Sequence, residues 1–159
     1  MDIERRAVTA LRVFLVVLFG ILLLLQVMSL PGQFAHMAEE EPDLAYLRWP
    51  LTVVTIFWVF CAQVVVVSTW KLLDLVRADR IFSDASWTWV DAIVLAIAAA
   101  WTTFLGFFLY VGFKADDPGM PLLLFLLLLA LSVVGLVMLV MRALLRQATN
   151  LRTEVEAVI

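Results

Sequence analysis

The chain has 159 residues, the length of one ordinary domain, yet 65% of them are hydrophobic and only 16% are charged, against roughly 45–50% apolar in a soluble domain. So few charges cannot cover so much apolar surface, which excludes a soluble enzyme, a nucleic-acid-binding module and a disordered chain. The net charge of −3 favours neither an acidic nor a basic partner, and the single cysteine, Cys61, excludes an internal disulfide.

A helix that crosses a bilayer needs about 20 mostly apolar residues. Four charge-free runs are long enough: 13–35, 49–70, 92–113 and 118–141. They predict spans at approximately 13–33, 49–70, 92–113 and 121–141, within a single domain, with 142–159 left as a cytoplasmic amphipathic tail. The first run exceeds the apolar core of a cleavable signal and lacks an A-x-A site after it, so it is read as a retained helix. Leu30-Pro31-Gly32 is expected to end that helix, because proline breaks the hydrogen-bond ladder. Trp49-Pro50 opens the second, with proline in the first turn. Before the third, Ser83 or Asp84 is expected to accept from free amides as an N-cap. The stretch from Asp116 to Pro121 forms a tight turn into the fourth. Continuous apolar runs argue against barrel strands, whose polarity alternates. The expected fold is all-α: a polytopic membrane protein with four transmembrane helices in an antiparallel bundle and cytoplasmic extensions of the second and fourth.

Lysine and arginine set the orientation. Arg5, Arg6, Arg12, Lys71, Arg77, Arg80, Arg142, Arg146 and Arg152 fall on one side, against Arg48 and Lys114 on the other. Both termini are therefore expected in the cytoplasm. The first outer loop carries His36, Glu39, Glu40, Glu41 and Asp43, which read as a solvated acidic face before a loose cation site. Trp49, Trp70, Trp87 and Trp89 lie near span ends, where indole rings suit the headgroup boundary. Trp58 and Trp101 lie deeper and read as packing or lipid contact.

No Asp, Glu, Lys, Arg or His falls within a predicted span. Proton relays and ion pathways commonly use such groups despite their cost, so their absence weakens a transporter reading. Nothing resembles a catalytic, cofactor or metal motif. Cys61 reads as packing. Ala92, Ala96 and Ala100 recur at a spacing that lets helices approach closely. The intramembrane polar groups of interest are Gln26, Gln63 and Thr55. Counting from span centres puts Gln26 near the depth of Thr55, and Gln63 near Gly20, where a missing side chain leaves room. Both amides read first as structural glue, and second as part of a polar path.

The second helix is expected to continue past Trp70 through 71–79, with Leu72, Leu73, Leu75 and Val76 on a broad apolar side. The fourth continues past Arg142, where Leu144, Ala148, Leu151, Val155 and Val158 form a two-heptad apolar stripe. The two extensions pack together, or the stripe meets another protein, or it lies on lipid. Arg152 falls off the stripe and is expected to matter little.

Two stretches carry a family resemblance. Leu72 to Ser83 resembles a helix end followed by a Phe-Ser cap, and Leu151 to Val158 a closing leucine, acidic and valine pattern. The chain resembles the DUF2975 group of small bacterial membrane proteins, whose molecular function is unassigned. The resemblance implies a place in the bacterial inner membrane. Genes of this group often neighbour those of small helix-turn-helix regulators, which implies a cytoplasmic regulator as partner and no direct contact with nucleic acid. The expectation is a non-enzymatic membrane protein, without cofactor or metal, that engages such a regulator or another membrane subunit. Arg77, Arg80 and Phe82 would form one contact patch, and Leu151, Glu154 and Val155 another. The alternative is a small homo-oligomeric transporter or channel.

Overall fold

The computed structural model describes residues 2–159, which are helical almost throughout, with no strand among the described residues. In chain order they form α1 (Asp2–Leu24), a π-helical turn (Leu25–Ser29), α2 (Leu30–Glu40), a 3-10 segment (Pro42–Leu47), α3 (Arg48–Arg77), α4 (Asp84–Lys114) and α5 (Gly119–Val158). Four stretches are long and apolar enough to cross a membrane: Ile3–Glu40, Pro42–Arg77, Asp84–Lys114 and Gly119–Val158. By helix length and composition the chain is a multi-pass membrane protein. Large apolar side chains such as Phe14, Leu126 and Val137 stand exposed, as expected where lipid is the solvent. Helices suit that solvent because each backbone N–H finds its acceptor within the segment.

The first helix does not stop at Pro31. Proline lacks an N–H, and its ring crowds the carbonyl four residues back. Here the turn before it widens instead: the Leu30 N–H bonds to the Leu25 carbonyl, one residue further back than in an α-helix. Pro31 then falls in the first turn of α2, where a missing N–H costs least. The predicted outer loop is therefore largely helical, with His36, Glu39 and Glu40 on α2 and a break only at Glu41.

The 3-10 segment leads into α3, which has Pro50 in its first turn. This helix runs on past Trp70 as expected. It closes on a Schellman motif, in which the Arg80 N–H reaches the Leu75 carbonyl (2.9 Å) and the Asp79 N–H the Val76 carbonyl (3.1 Å). The motif requires a left-handed residue, and Asp79 supplies it at φ 54°. Ser83 occupies the N-cap of α4 but does not cap with its side chain. Its hydroxyl donates back to the Arg80 carbonyl at 2.6 Å, so it fastens the turn rather than the helix.

The chain divides into two compact units, 1–73 and 74–159. Within the first, α1 and α3 run antiparallel. The Arg12 guanidinium lies 5.0 Å from the Trp70 ring centroid, and the Gln26 amide reaches the Ile56 carbonyl at 3.4 Å. Each pair is equidistant in sequence from Glu41, the break in the hairpin.

Within the second unit, α4 and α5 are also antiparallel. Arg142 pairs with Asp91 at 2.8 Å, Trp101 with Ser132, and Phe108 with Phe125, centroids 6.0 Å apart. These pairs are equidistant from the turn at Asp116-Asp117. The close approach of α4 and α5 sits at Gly135, where an added Cβ would come within 3.3 Å of Ile97 Cγ2. In the predicted alanine row Ala96 is buried, and Ala92 and Ala100 are half-buried.

Candidate functional site

The turn between α3 and α4 and the end of α5 meet in the second unit. The Schellman turn reverses the chain so that Phe82 lies beside α5, with the Arg152 guanidinium carbon 5.7 Å from its ring centroid. Arg152 also pairs with Glu156, one turn on, at 3.2 Å. A cation over an aromatic face is attracted by the ring's quadrupole. The contact continues the register of α4 with α5, so α5 extends past the start of α4 and overhangs it. The turn and the tail thus touch at Phe82 and Arg152. Arg152, off the apolar stripe, has two side-chain contacts, with Phe82 and with Glu156.

The stripe itself is left uncovered. Leu151 is 56% exposed, Val155 59% and Val158 87%, and Leu144 is likewise exposed. Glu154 is exposed beside them, and Arg77 and Arg80 are exposed at the turn. The surface around the Phe82–Arg152 contact therefore combines arginines with a row of aliphatic side chains on a helix that has left the last apolar run.

Inside the spans, most hydroxyls bond within their own helix, as Ser and Thr do where no water competes. Thr55 donates to the Leu51 and Thr52 carbonyls. Gln26 bridges to α3, its amide donating to the Ile56 carbonyl, one residue from the depth expected. Gln63 differs. It is 7% exposed, and its Nε2 has no hydrogen-bond partner among the described residues. Gly20, at the matching depth on α1, has open space where a side chain would start.

Sequence reading missed one polar pair. Trp101 Nε1 donates to Ser132 Oγ at 2.7 Å, and that hydroxyl donates to the Leu128 carbonyl, also at 2.7 Å. Stepping out equally from the Asp116-Asp117 turn pairs the two, so the signal lay in the hairpin's symmetry. Beside them α4 and α5 leave an apolar groove of about 320 Å³, with Ile97, Ala98 and Gly135 in its wall. In the first unit, His36 pairs with Glu40 at 3.2 Å, both exposed. Among the described residues no group of three or more His, Cys, Asp or Glu side chains is placed to hold a metal ion.

The family model DUF2975, described as a protein of unknown function, matches residues 32–159. No curated protein and no solved structure matches the chain. The matched residues include the whole turn and tail surface.

Proposed function

The chain belongs to the DUF2975 family, and from its own residues we propose that it is a non-enzymatic membrane protein whose turn and tail dock a cytoplasmic protein. A helix-turn-helix-type regulator is the partner class. One observation carries this reading: Leu151, Val155 and Val158 form an exposed apolar row on a helix beyond the bilayer-length run. Lipid does not account for apolar side chains outside a span. Such a row in water marks a protein contact. Phe82 lies beside the same helix at Arg152, Arg77 and Arg80 are exposed at the turn, and Glu154 adds a charge that would fix the partner's register. The rival reading, an oligomeric transporter or channel, draws less support, because Gln26 and Thr55 spend their polar groups on backbone carbonyls.

The proposal places the protein in a bacterial inner membrane with both termini inside, on the lysine and arginine bias. Reporter fusions after Glu156 and near Asp79 should read cytoplasm, and fusions near Glu40 and Asp117 the exterior. A fusion after Glu156 that reads exterior removes the docking surface from the cytoplasm and ends the proposal.

The functional test replaces Leu151 with Asp. Burying a leucine contributes about 1.5–3 kcal/mol, so Leu151→Asp should lose partner capture by at least tenfold at equal membrane abundance, with melting unchanged. Unchanged capture overturns the reading. Lost melting stability instead assigns Leu151 to internal packing.

A further inference from the structure

The groove between α4 and α5 follows two rows of side chains. Trp101 and Val94 stand a heptad apart on α4, and Ser132 and Leu139 a heptad apart on α5, all four in its wall. The facing members, Trp101 with Ser132 and Val94 with Leu139, are equidistant from the turn at Asp116-Asp117. Ala98 and Leu136, also in the wall, are exposed, so the groove opens sideways. One heptad further, the two rows leave the groove at Trp87 and Arg146, again equidistant from that turn. Arg146 lies about 10 Å past Leu139 by helix rise, beyond the last apolar run. It is exposed, and among the described residues it has no ion pair, hydrogen bond or ring contact. Arg142 differs, because Asp91 holds it at 2.8 Å and the two charges cancel. The next acid, Asp84, stands about 4–5 Å past Trp87 by rise, in the first turn of α4, where the positive end of the helix offsets it. The one uncommitted charge in line with the groove is therefore the Arg146 cation.

We infer that this groove seats one phospholipid of the surrounding bilayer, an acyl chain along Val94, Ala98 and Leu139 and its phosphate on Arg146. The shape argues for an amphiphile: an apolar slot open at the side, whose two walls lead to an indole and a guanidinium. Tryptophan suits the headgroup boundary, and an arginine just past a span reaches its charge to that depth. A guanidinium with no other partner matches a phosphate with two parallel hydrogen bonds. A second copy seated on the same face of α4 and α5 would bring its own Arg146 to the same depth, like charge against like. The site uses none of the docking residues and does not depend on which side is cytoplasmic, so it stands or falls apart from that surface.

The test uses the full chain in detergent, with native mass spectrometry and melting as readouts. The probes are phosphatidylglycerol and a diacylglycerol of identical chains, with inorganic phosphate as a chain-free control. Wild type should retain the phospholipid about fivefold better than the diacylglycerol, the weight of one cation at an anionic head group, and melt higher with it. Arg146→Gln should bring the two lipids level, and Arg146→Lys should keep the preference. Ala98→Trp should reduce retention of both by filling the slot. Arg6→Gln, an exposed cation on α1, should change nothing. Equal retention of the two lipids by wild type overturns the site. So does a preference that survives Arg146→Gln, or a melting shift with inorganic phosphate as large as the phospholipid's. If Ala98→Trp alters only the oligomeric state, a second copy of the chain fills the groove, and the inference fails. Arg146 packs against nothing, so its variant decides the matter even where Ala98→Trp lowers melting without lipid.

Discussion

The two antiparallel pairs, α1 with α3 and α4 with α5, keep equally regular registers but are held together differently. The α4–α5 pair is joined by contacts spread along its length, Gly135 against Ile97, Trp101 bonded to Ser132, Phe108 on Phe125, and Arg142 paired with Asp91, beside a groove of about 320 Å³. The α1–α3 pair is joined by Arg12 over Trp70 and, just past α1, by the Gln26 bond to Ile56, beside a cleft of about 270 Å³. In lipid no hydrophobic force drives helices together, so small residues and interhelical hydrogen bonds decide how closely they pack. A glycine facing α4 lets α5 approach. On α1, a Cβ at Gly20 would meet nothing within 4 Å. A regular register therefore fixes which residues face each other, and small residues at the facing positions fix how closely the backbones approach.

The sharpest way to break the contrast is to swap the glycines' surroundings. Gly135→Leu places a branched side chain where a Cβ alone would stand 3.3 Å from Ile97 Cγ2, closer than ordinary van der Waals contact. Overpacking typically costs about 1–3 kcal/mol, and the upper end is expected because the neighbour sits on a rigid helix. Gly20→Ala enters open space and should stabilise by about 0.5–1 kcal/mol through helix propensity. Melting in detergent measures both. Equal losses at the two sites would mean that α1 and α3 close up like the other pair.

The two amides sharpen the same contrast. Gln26 has an acceptor and Gln63 has none. Gln26→Leu should lose about 0.6 kcal/mol, the average for an interhelical hydrogen bond in a membrane protein. Gln63→Leu should gain about 1 kcal/mol, because an apolar side chain replaces a buried donor that carries a desolvation penalty. A melting loss at Gln63→Leu would show that a water or ligand satisfies the amide, and would return the polar-path reading to contention.

Much of this was legible in the sequence, for physical reasons. Span count follows from apolar run length, because the bilayer imposes a thickness. The helical extensions past Trp70 and Arg142 followed from apolar periodicity, the first ending at Arg77, two residues short of the expected Asp79. Pro31 was misread because proline alone decides the end of a helix only where water takes up the freed carbonyls. In a span the π-helical turn takes them up instead. Ser83 was placed correctly but given the wrong partner, since a serine before a helix donates to a nearby carbonyl as readily as it accepts. Gln63 was visible as an amide inside an apolar run. Its lack of an acceptor depends on side-chain geometry that counting does not reach. Trp101 and Ser132 were each visible, and only the hairpin symmetry about Asp116-Asp117 joins them.

The smallest expected effect tests the candidate surface itself. The apolar stripe implies that Arg152 is dispensable, because an exposed ion pair with Glu156 is worth under about 1 kcal/mol. The contact with Phe82 adds a second interaction, about 0.5–1 kcal/mol at an exposed site. Arg152→Ala should therefore cost more than the ion pair alone, and Glu156→Ala less. A double-mutant cycle with Phe82→Leu separates the two, since only residues in contact show coupling. A coupling of about 0.5 kcal/mol between Phe82 and Arg152 would hold the turn and the tail together as one surface. Strict additivity would free the tail from the turn. The stripe at Leu151 and Val155 would then act alone, and Arg77, Arg80 and Phe82 would drop out of the docking surface.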